Sequence, residues 1–388
     1  MPMTNRTVCF FNTNPVWGGG ENWHASYARL LRDRGWPVLV VARRGGELAE
    51  RLRGEPGITL HETRLGNLSF LNPLRLRSLS SLFRRHDVGT VLFALPSDMK
   101  AGGLAARMAG VPRIIYRRGI AVPVKNSALN RWLFRSVITD LIVNSRETLR
   151  TVLENNPDLV APERIHHIPN GIDVPALDRA VLTADAKEAH GETLFPRALG
   201  ELRIGTAGRL TEQKGHRYLL EAAQILKKKE ISFTMFIAGK GELQEKLEEM
   251  ATKLDVADVV RFPGFVEDLP AFYRSLDVFV LPSLWEGFGY VLAEAMTLRL
   301  PTVAFNISNI PELCMDGETG LLVPPHHADA LAEALETLLR DPDQRARMGE
   351  AGRARIIKHF GMERTLAALE ALLEGRAPGM GGDAADAG

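Results

Sequence analysis

The feature that most constrains this chain is an alternation repeated along its length. A short apolar run leads into a Gly-, Pro- or Ser-containing loop, and a segment of helical spacing follows. Apolar runs at residues 8–11, 38–42, 59–60, 88–94 and 141–145 read as strands of a first set, and those at 202–207, 233–238, 260–265, 277–281, 302–305 and 320–324 as a second. Helical spacing marks residues 21–33, 126–137, 328–339 and 360–373. Repeated strand–helix units imply parallel, doubly wound sheets, with ligands at the C-terminal ends of the strands.

At 388 residues the chain is long enough for two such domains, each with its own core. The apolar runs fall far short of the roughly 20 residues of a membrane-spanning helix. The N-terminal residues lack the charged start and apolar block of a signal peptide. A cytoplasmic location is the expectation. Cys9 and Cys314 fall in separate apolar elements and read as reduced packing residues. The net charge of +1 conceals a division: residues 1–171 carry 24 Lys and Arg against 13 Asp and Glu, leaving 24 against 34 for the rest. The basic half is suited to an anionic surface or substrate. No nucleic-acid partner is expected.

Chemistry concentrates in residues 277–296, DVFVLPSLWEGFGYVLAEAM. An apolar strand stops at Pro282 and Ser283, a loop carries Trp285 and Glu286, and a helix follows. A helix start exposes backbone N–H groups and a positive dipole end, so Gly287, Phe288, Gly289, Tyr290 and Val291 suit an anion such as a phosphate. Glu294 lies eight residues beyond Glu286, about two turns along that helix. Two carboxylates can thereby flank one ligand. Upstream, NTNPVWGGG at residues 12–20 puts Gly18, Gly19 and Gly20 at a strand-to-helix turn where backbone can approach a ligand closely. The adjacent His166 and His167 would point to opposite faces of a strand, a poor chelating pair, and read as structural.

Taken together, this pattern resembles the signature of the retaining glycosyltransferases grouped with glycogen and sucrose synthases, family four. Also matching are IHHIPNGID at 165–173, Gly208-Arg209 with Lys214-Gly215, VRFPGF at 260–265, NIPE at 309–312 and GLLVP at 320–324. The resemblance implies a GT-B fold of two Rossmann-like doubly wound domains. It divides the chain into an acceptor-binding domain at 1–171, a nucleotide-sugar domain at 172–355, a helix at 356–375 returning to the first domain, and a disordered tail at 376–388.

It further implies transfer of a sugar, with retention, from a nucleoside-diphosphate donor, by family habit UDP, to a glycan or lipid-linked acceptor. Cell-envelope polysaccharide or lipopolysaccharide synthesis is the setting it suggests. Glu286 would hold sugar hydroxyls and support positive charge at the anomeric centre, and Glu294 would bind the ribose. Arg209 and Lys214 would stabilise the diphosphate leaving group without a metal or other cofactor. Gly208, Gly239, Phe265 and Val266 would adjoin the donor. Relatives commonly carry a histidine where this chain has Arg117 and Arg118, so Lys100, Arg117 or Arg118 is expected to grip an acceptor anion instead. The basic amphipathic segment 126–137 is a candidate contact with an anionic membrane, peripheral on the inner face of the plasma membrane. A nucleotide-sugar epimerase or hydrolase, and a non-catalytic nucleotide-sugar-binding protein, are the competing readings.

Overall fold

In the computed structural model, residues 6–189 and 195–376 are described, and they form two units. The first comprises residues up to Asn170 together with the closing helix from Glu363 onward; the second is Gly171–Met362. The disordered tail expected at 376–388 lies, apart from Arg376, outside the described residues.

The first unit is built on seven parallel strands: β1 (Thr7–Asn12), β2 (Val38–Arg43), β3 (Ile58–Thr63), β4 (Val88–Phe93), β5 (Arg113–Arg118), β6 (Asp140–Val143) and β7 (Ile165–His167). Their order is β3-β2-β1-β4-β5-β6-β7. Strands covered by helices on both faces need apolar residues at every position rather than at alternate ones. Val8 to Phe11 and Leu39 to Ala42 are accordingly all buried. The helix Met362–Leu373 joins this unit through Tyr27, whose hydroxyl lies 2.5 Å from Thr365 Oγ1, and through Arg34 and the Trp36 indole, which donate to Glu370.

Six parallel strands make the second sheet: β8 (Arg203–Ala207), β9 (Thr234–Ala238), β10 (Val260–Gly264), β11 (Val278–Leu281), β12 (Thr302–Phe305) and β13 (Leu321–Val323), in the order β10-β9-β8-β11-β12-β13. In each sheet the winding reverses once, between β1 and β4 and between β8 and β11. Helices leaving neighbouring strands there go to opposite faces and leave a crevice at the strands' C-terminal ends.

Three further segments are helical. Residues 96–100 follow β4 and open a helix, Pro96–Ala109, with Pro96 in its first turn, where a missing N–H costs nothing. Residues 174–189 are a helix. The segment 126–137 is a single turn of helix, Ala128–Trp132, running into a π-turn, Leu133–Val137. That wider turn brings Leu133, Phe134 and Val137 inward to the core, leaving Trp132 exposed.

Both cysteines are buried thiols without a disulfide. His166 bonds Asp140 at 2.9 Å as a structural contact between β7 and β6. Among the described residues no helix is long and apolar enough to cross a membrane.

Candidate functional site

The richest constellation lies at the β8/β11 reversal. After β8 the chain turns through Gly208, Arg209 and a short 3₁₀ turn, Glu212–Lys214, into the helix His216–Lys228. After β11 it runs from Pro282 to Gly289 and enters the helix Tyr290–Thr297. Two hydrogen bonds join these loops, Leu284 N–H to the Gln213 carbonyl at 2.8 Å and Gln213 Nε2 to the Trp285 carbonyl at 2.9 Å. Their backbones also touch at Gly215, where a Cβ would sit 2.1 Å from the Pro282 oxygen. Gly215 has φ +61°, in the left-handed region that glycine enters most readily.

This junction brings Lys214 to Glu286. Lys214 Nζ donates to Glu286 Oε1 at 2.5 Å, and Ser283 Oγ donates to the same oxygen at 2.7 Å. Their side chains are only 15% and 8% exposed. Glu286 therefore belongs to a buried, paired arrangement rather than an open loop. Among the described residues its other oxygen, Oε2, accepts no hydrogen bond. Arg209 is exposed and pairs with no carboxylate among the described residues.

Backbone geometry fixes the rest of this wall. Gly239 has φ +143°, and a Cβ there would lie 1.8 Å from the Gly208 oxygen, so no other residue fits between the ends of β8 and β9. Gly208 N–H bonds the Ala238 carbonyl and Gly239 N–H bonds the Gly264 carbonyl. Next along the edge, Phe265 is 65% exposed while Val266 packs partly on the core. An exposed aromatic face beside a glycine-lined edge offers a stacking surface to a planar ligand.

The helix Tyr290–Thr297 begins at Gly289 in the left-handed conformation with no side-chain cap. The Phe288 ring is 4% exposed and packs on Tyr290 and Phe360, so its side chain belongs to the core and only its backbone faces the loop. Val291 is likewise half-buried against that core. Glu294 is half-buried and accepts from the Tyr273 hydroxyl at 2.9 Å. Burial pushes its carboxyl up to about 7, although the tyrosine bond acts in the other direction.

Sequence reading missed two residues here, Ser308 and His216, and quoted Asn309 only as part of NIPE. Ser308, at φ +49°, brings its hydroxyl to 3.5 Å from the Glu286 N–H, and Asn309 Nδ2 donates to the Phe288 carbonyl at 2.8 Å. Both brace the Glu286 loop from the end of β12. His216 is buried next to Lys214, and desolvation with that neighbouring charge lowers its imidazole to about 4.

A second polar cluster occupies the β1/β4 reversal. Glu21 is buried, and its Oε1 accepts from Asn12 Nδ2 at 2.9 Å and Asn14 Nδ2 at 3.0 Å, tying down the loop that carries Gly18, Gly19 and Gly20. Asp98, at the start of helix Pro96–Ala109, accepts from Thr13 N–H at 2.7 Å and Thr13 Oγ1 at 2.6 Å. Its burial raises the carboxyl to about 6. Neither carboxylate was singled out from the sequence.

Of the three cations expected to grip an acceptor, Arg117 corrects the expectation. It is 3% exposed, with its guanidinium 4.2 Å over the Trp23 ring and donating to Asn170, so it is spent inside the unit. Arg118 is half-buried and donates to Tyr116 Oη at 3.3 Å and the Val122 carbonyl at 2.7 Å. Lys100 is half-buried and pairs with no carboxylate among the described residues. Among the described residues no group of three or more His, Cys, Asp or Glu side chains is placed to hold a metal ion.

Comparison with known proteins matches both halves of the chain to described families. Residues 195–355 match the family profile described as glycosyl transferases group 1, and residues 17–175 that of glycosyltransferase family 4. A GDP-mannose-dependent alpha-(1-6)-phosphatidylinositol monomannoside mannosyltransferase of Mycolicibacterium smegmatis is 29% identical over 93% of this chain and 96% of its own length. The UDP-Gal:alpha-D-GlcNAc-diphosphoundecaprenol alpha-1,3-galactosyltransferase of Escherichia coli is 26% identical over 84% of this chain and 86% of its own. A glycosyltransferase crystal structure from Rickettsia africae superposes with a TM-score of 0.83 at 19% identity, covering 96% and 98% of the two chains, which is a likeness of fold.

Proposed function

This chain belongs to the group 1/family 4 glycosyltransferases and has their GT-B fold, and on that footing we propose that it moves a sugar, with retention of anomeric configuration, from a nucleoside-diphosphate donor to a lipid-linked acceptor. The observation that carries the reading is the β8/β11 junction, where Lys214 and Ser283 hold one oxygen of Glu286 and leave the other open, and where the loop that carries Lys214 also carries exposed Arg209.

Arg209 and Lys214 would bind the donor diphosphate and stabilise the charge that grows on it as the glycosidic bond breaks. Fixed cations of this kind do the work a metal does elsewhere, and we propose a metal-independent transfer. Lys214 would also hold Glu286 in one orientation. Glu286 would then accept bonds from sugar hydroxyls through Oε2 and favour positive charge at the anomeric carbon. A retaining hydrolase uses one carboxylate as nucleophile and another as acid/base. Here the proposal is a front-face transfer in which a donor phosphate oxygen takes the acceptor's proton, and Glu286 acts by positioning and charge. Glu294, ionised on binding, would take the ribose hydroxyls, and Phe265 would lie against the base.

The two full-length relatives use different carriers, GDP-mannose and UDP-galactose. UDP is the carrier implied by the motif resemblance, and we retain it as the proposal. Both relatives act on lipid-borne acceptors carrying phosphate, which agrees with the basic first half and supports an acceptor of that class in envelope glycan synthesis at the cytoplasmic face.

The test is calorimetric titration of the whole protein with UDP, GDP and their sugars, with and without EDTA. It is followed by NMR of the product's anomeric proton once an acceptor lipid is found. Tight UDP binding unaffected by EDTA is expected. GDP binding alone would transfer the reading to a guanosine carrier, and no binding by folded protein would overturn it. Donor consumption without acceptor would favour a hydrolase or epimerase.

A further inference from the structure

Residues 63–86 contain five arginines and no Asp or Glu. They run from the C-terminal end of β3 through a 3₁₀ turn, Ser69–Leu71, into the helix Pro73–Arg85. On this segment Leu68, Leu71 and Leu74 stand 71%, 66% and 72% exposed. Their spacing of three matches the three residues per turn of a 3₁₀ helix, which brings Leu68 and Leu71 to one side, with Leu74 one step further.

The protrusion is built rather than loose. Ser69 Oγ accepts from Gly66 N–H at 2.9 Å, and the Asn72 side chain caps the helix by accepting from Leu74 N–H at 3.0 Å and Arg75 N–H at 3.2 Å. Leu65 is buried, Phe70 packs on the core, and Arg75 Nη1 donates to the Arg64 carbonyl. A turn anchored this firmly could bury its leucines and instead presents them.

The charges around the leucines are all of one sign, since the segment has no carboxylate of its own. Many arginines of this unit pair with a carboxylate, among them Arg6, Arg29, Arg32, Arg34, Arg53 and Arg150. Arg64, Arg77 and Arg85 pair with none among the described residues. Three exposed leucines flanked by uncompensated guanidinium groups match the two components of an anionic bilayer surface, acyl chains below and phosphates above.

We propose that the segment 64–77 is a membrane-docking wedge, with Leu68, Leu71 and Leu74 entering the interface of an anionic bilayer and Arg64, Arg75 and Arg77 meeting its phosphates. The segment 126–137, the amphipathic stretch in the sequence, has already spent Leu133, Phe134 and Val137 on the core and offers Trp132 as its one large exposed apolar side chain. The wedge leaves the C-terminal edge of the first sheet, the edge that also carries the loop at residues 13–18 and the start of helix Pro96–Ala109. Docking there holds that edge at the depth where a lipid-linked acceptor has its headgroup. The inference deepens the lipid-linked part of the proposed function.

The experiment is co-sedimentation of the full chain with vesicles of phosphatidylglycerol and phosphatidylcholine in equal parts, and with phosphatidylcholine alone, at low and high salt. The variants are L68S/L71S/L74S and R64Q/R77Q. Wild-type protein should bind the anionic vesicles at low salt and be released at high salt. The leucine variant should lose about 100-fold or more in partitioning. The arginine variant should lose about fivefold per charge. All substitutions are at exposed positions, and unchanged thermal melting shows that the variants are folded.

Absence of wild-type binding, or equal binding by the leucine variant, overturns the proposal. So does a dimer that the leucine variant dissociates in the absence of vesicles, since the patch is then an interface between copies. The assay contains no donor, so its failure leaves the glycosyl-transfer reading intact, and failure of the donor titration leaves the wedge intact.

Discussion

The Lys214–Glu286 pair provides the sharpest test of the site, because its burial separates it from the surface ion pairs of the same unit. Lys214→Met removes the ammonium and leaves Glu286 buried with only the Ser283 hydroxyl on Oε1. Opposite charges 2.5 Å apart attract by about 7 kcal/mol at an effective dielectric near 20. Most of this offsets the desolvation of two groups that are 15% and 8% exposed. Breaking such a pair from one side costs about 3–5 kcal/mol, and the retained serine bond places this case near the lower end, about 3. For a unit of this size, the melting transition should fall by about 6–12 °C.

Lys229 and Glu336, 2.7 Å apart but 42% and 21% exposed, are the internal control. Lys229→Met should cost under about 1 kcal/mol. The assay is a double-mutant cycle of Lys214→Met and Glu286→Gln, followed by urea unfolding, and a coupling of about 2 kcal/mol or more is expected. A coupling as small as that of the surface pair would mean that water screens Lys214 from Glu286. The claim that Lys214 orients the carboxylate would then fall.

Other perturbations address separate parts of the site. Glu286→Gln should preserve the fold and lower kcat by about 100-fold or more once an acceptor is in hand; unchanged kcat would remove Glu286 from the mechanism. Arg209→Ala should weaken nucleoside-diphosphate binding by about 10- to 100-fold in calorimetry without moving the melting point, since its guanidinium is exposed. Gly239→Ala should destabilise the second unit by about 3 kcal/mol or more, read by urea unfolding, because its Cβ would meet the Gly208 oxygen. Glu294 has a folded pKa of about 7 against an ordinary 4.5, so between these values the folded chain holds a proton that the unfolded chain releases, and stability falls as pH rises through that window. Glu294→Gln should therefore stabilise the protein by up to about 3 kcal/mol at pH 8 and leave it unchanged at pH 4; equal effects at both would refute the burial account.

Strands were legible because helices cover both faces of each sheet, and a doubly covered strand is written as an unbroken apolar run. Residues 302–305 and Thr302–Phe305 coincide, and the strand expected at 38–42 is Val38–Arg43. Helices were legible only where one face is apolar and large. Pro96–Ala109 packs through Ala101, Gly102, Gly103, Ala105 and Ala106, whose small side chains give no period. Pro73–Arg85 opens with leucines and arginines in alternation, a strand-like pattern, because Leu74 faces outward. The buried carboxylates were not legible at all. Asp98 is explained by Thr13, 85 residues away, and Glu294 by Tyr273, 21 residues before it. Such partners meet only after the chain has wound, so nothing local distinguishes these acids from solvated ones.

The two reversal points also show why matching topology does not give matching chemistry. At β1/β4 the polar groups are turned on one another: both oxygens of Asp98 accept from Thr13, Arg117 is held by Trp23 and Asn170, and Glu21 takes two asparagine bonds on Oε1. Groups paired this way stiffen a loop, and the guanidinium among them is buried. At β8/β11 one Glu286 oxygen is open in the same way, but here the Arg209 guanidinium is exposed and pairs with no carboxylate among the described residues, and the following helix start has no side-chain cap. Fixed groups with unmet valence bind charge without reorganising, which is the condition for stabilising a leaving diphosphate. The first reversal point should therefore tolerate Asn14→Ala with a loss read in stability alone, whereas Ser283→Ala should cost about 1–3 kcal/mol of stability and in addition lower turnover, because Lys214 alone then holds Glu286 Oε1. Unchanged turnover in Ser283→Ala would show that the second network is as structural as the first.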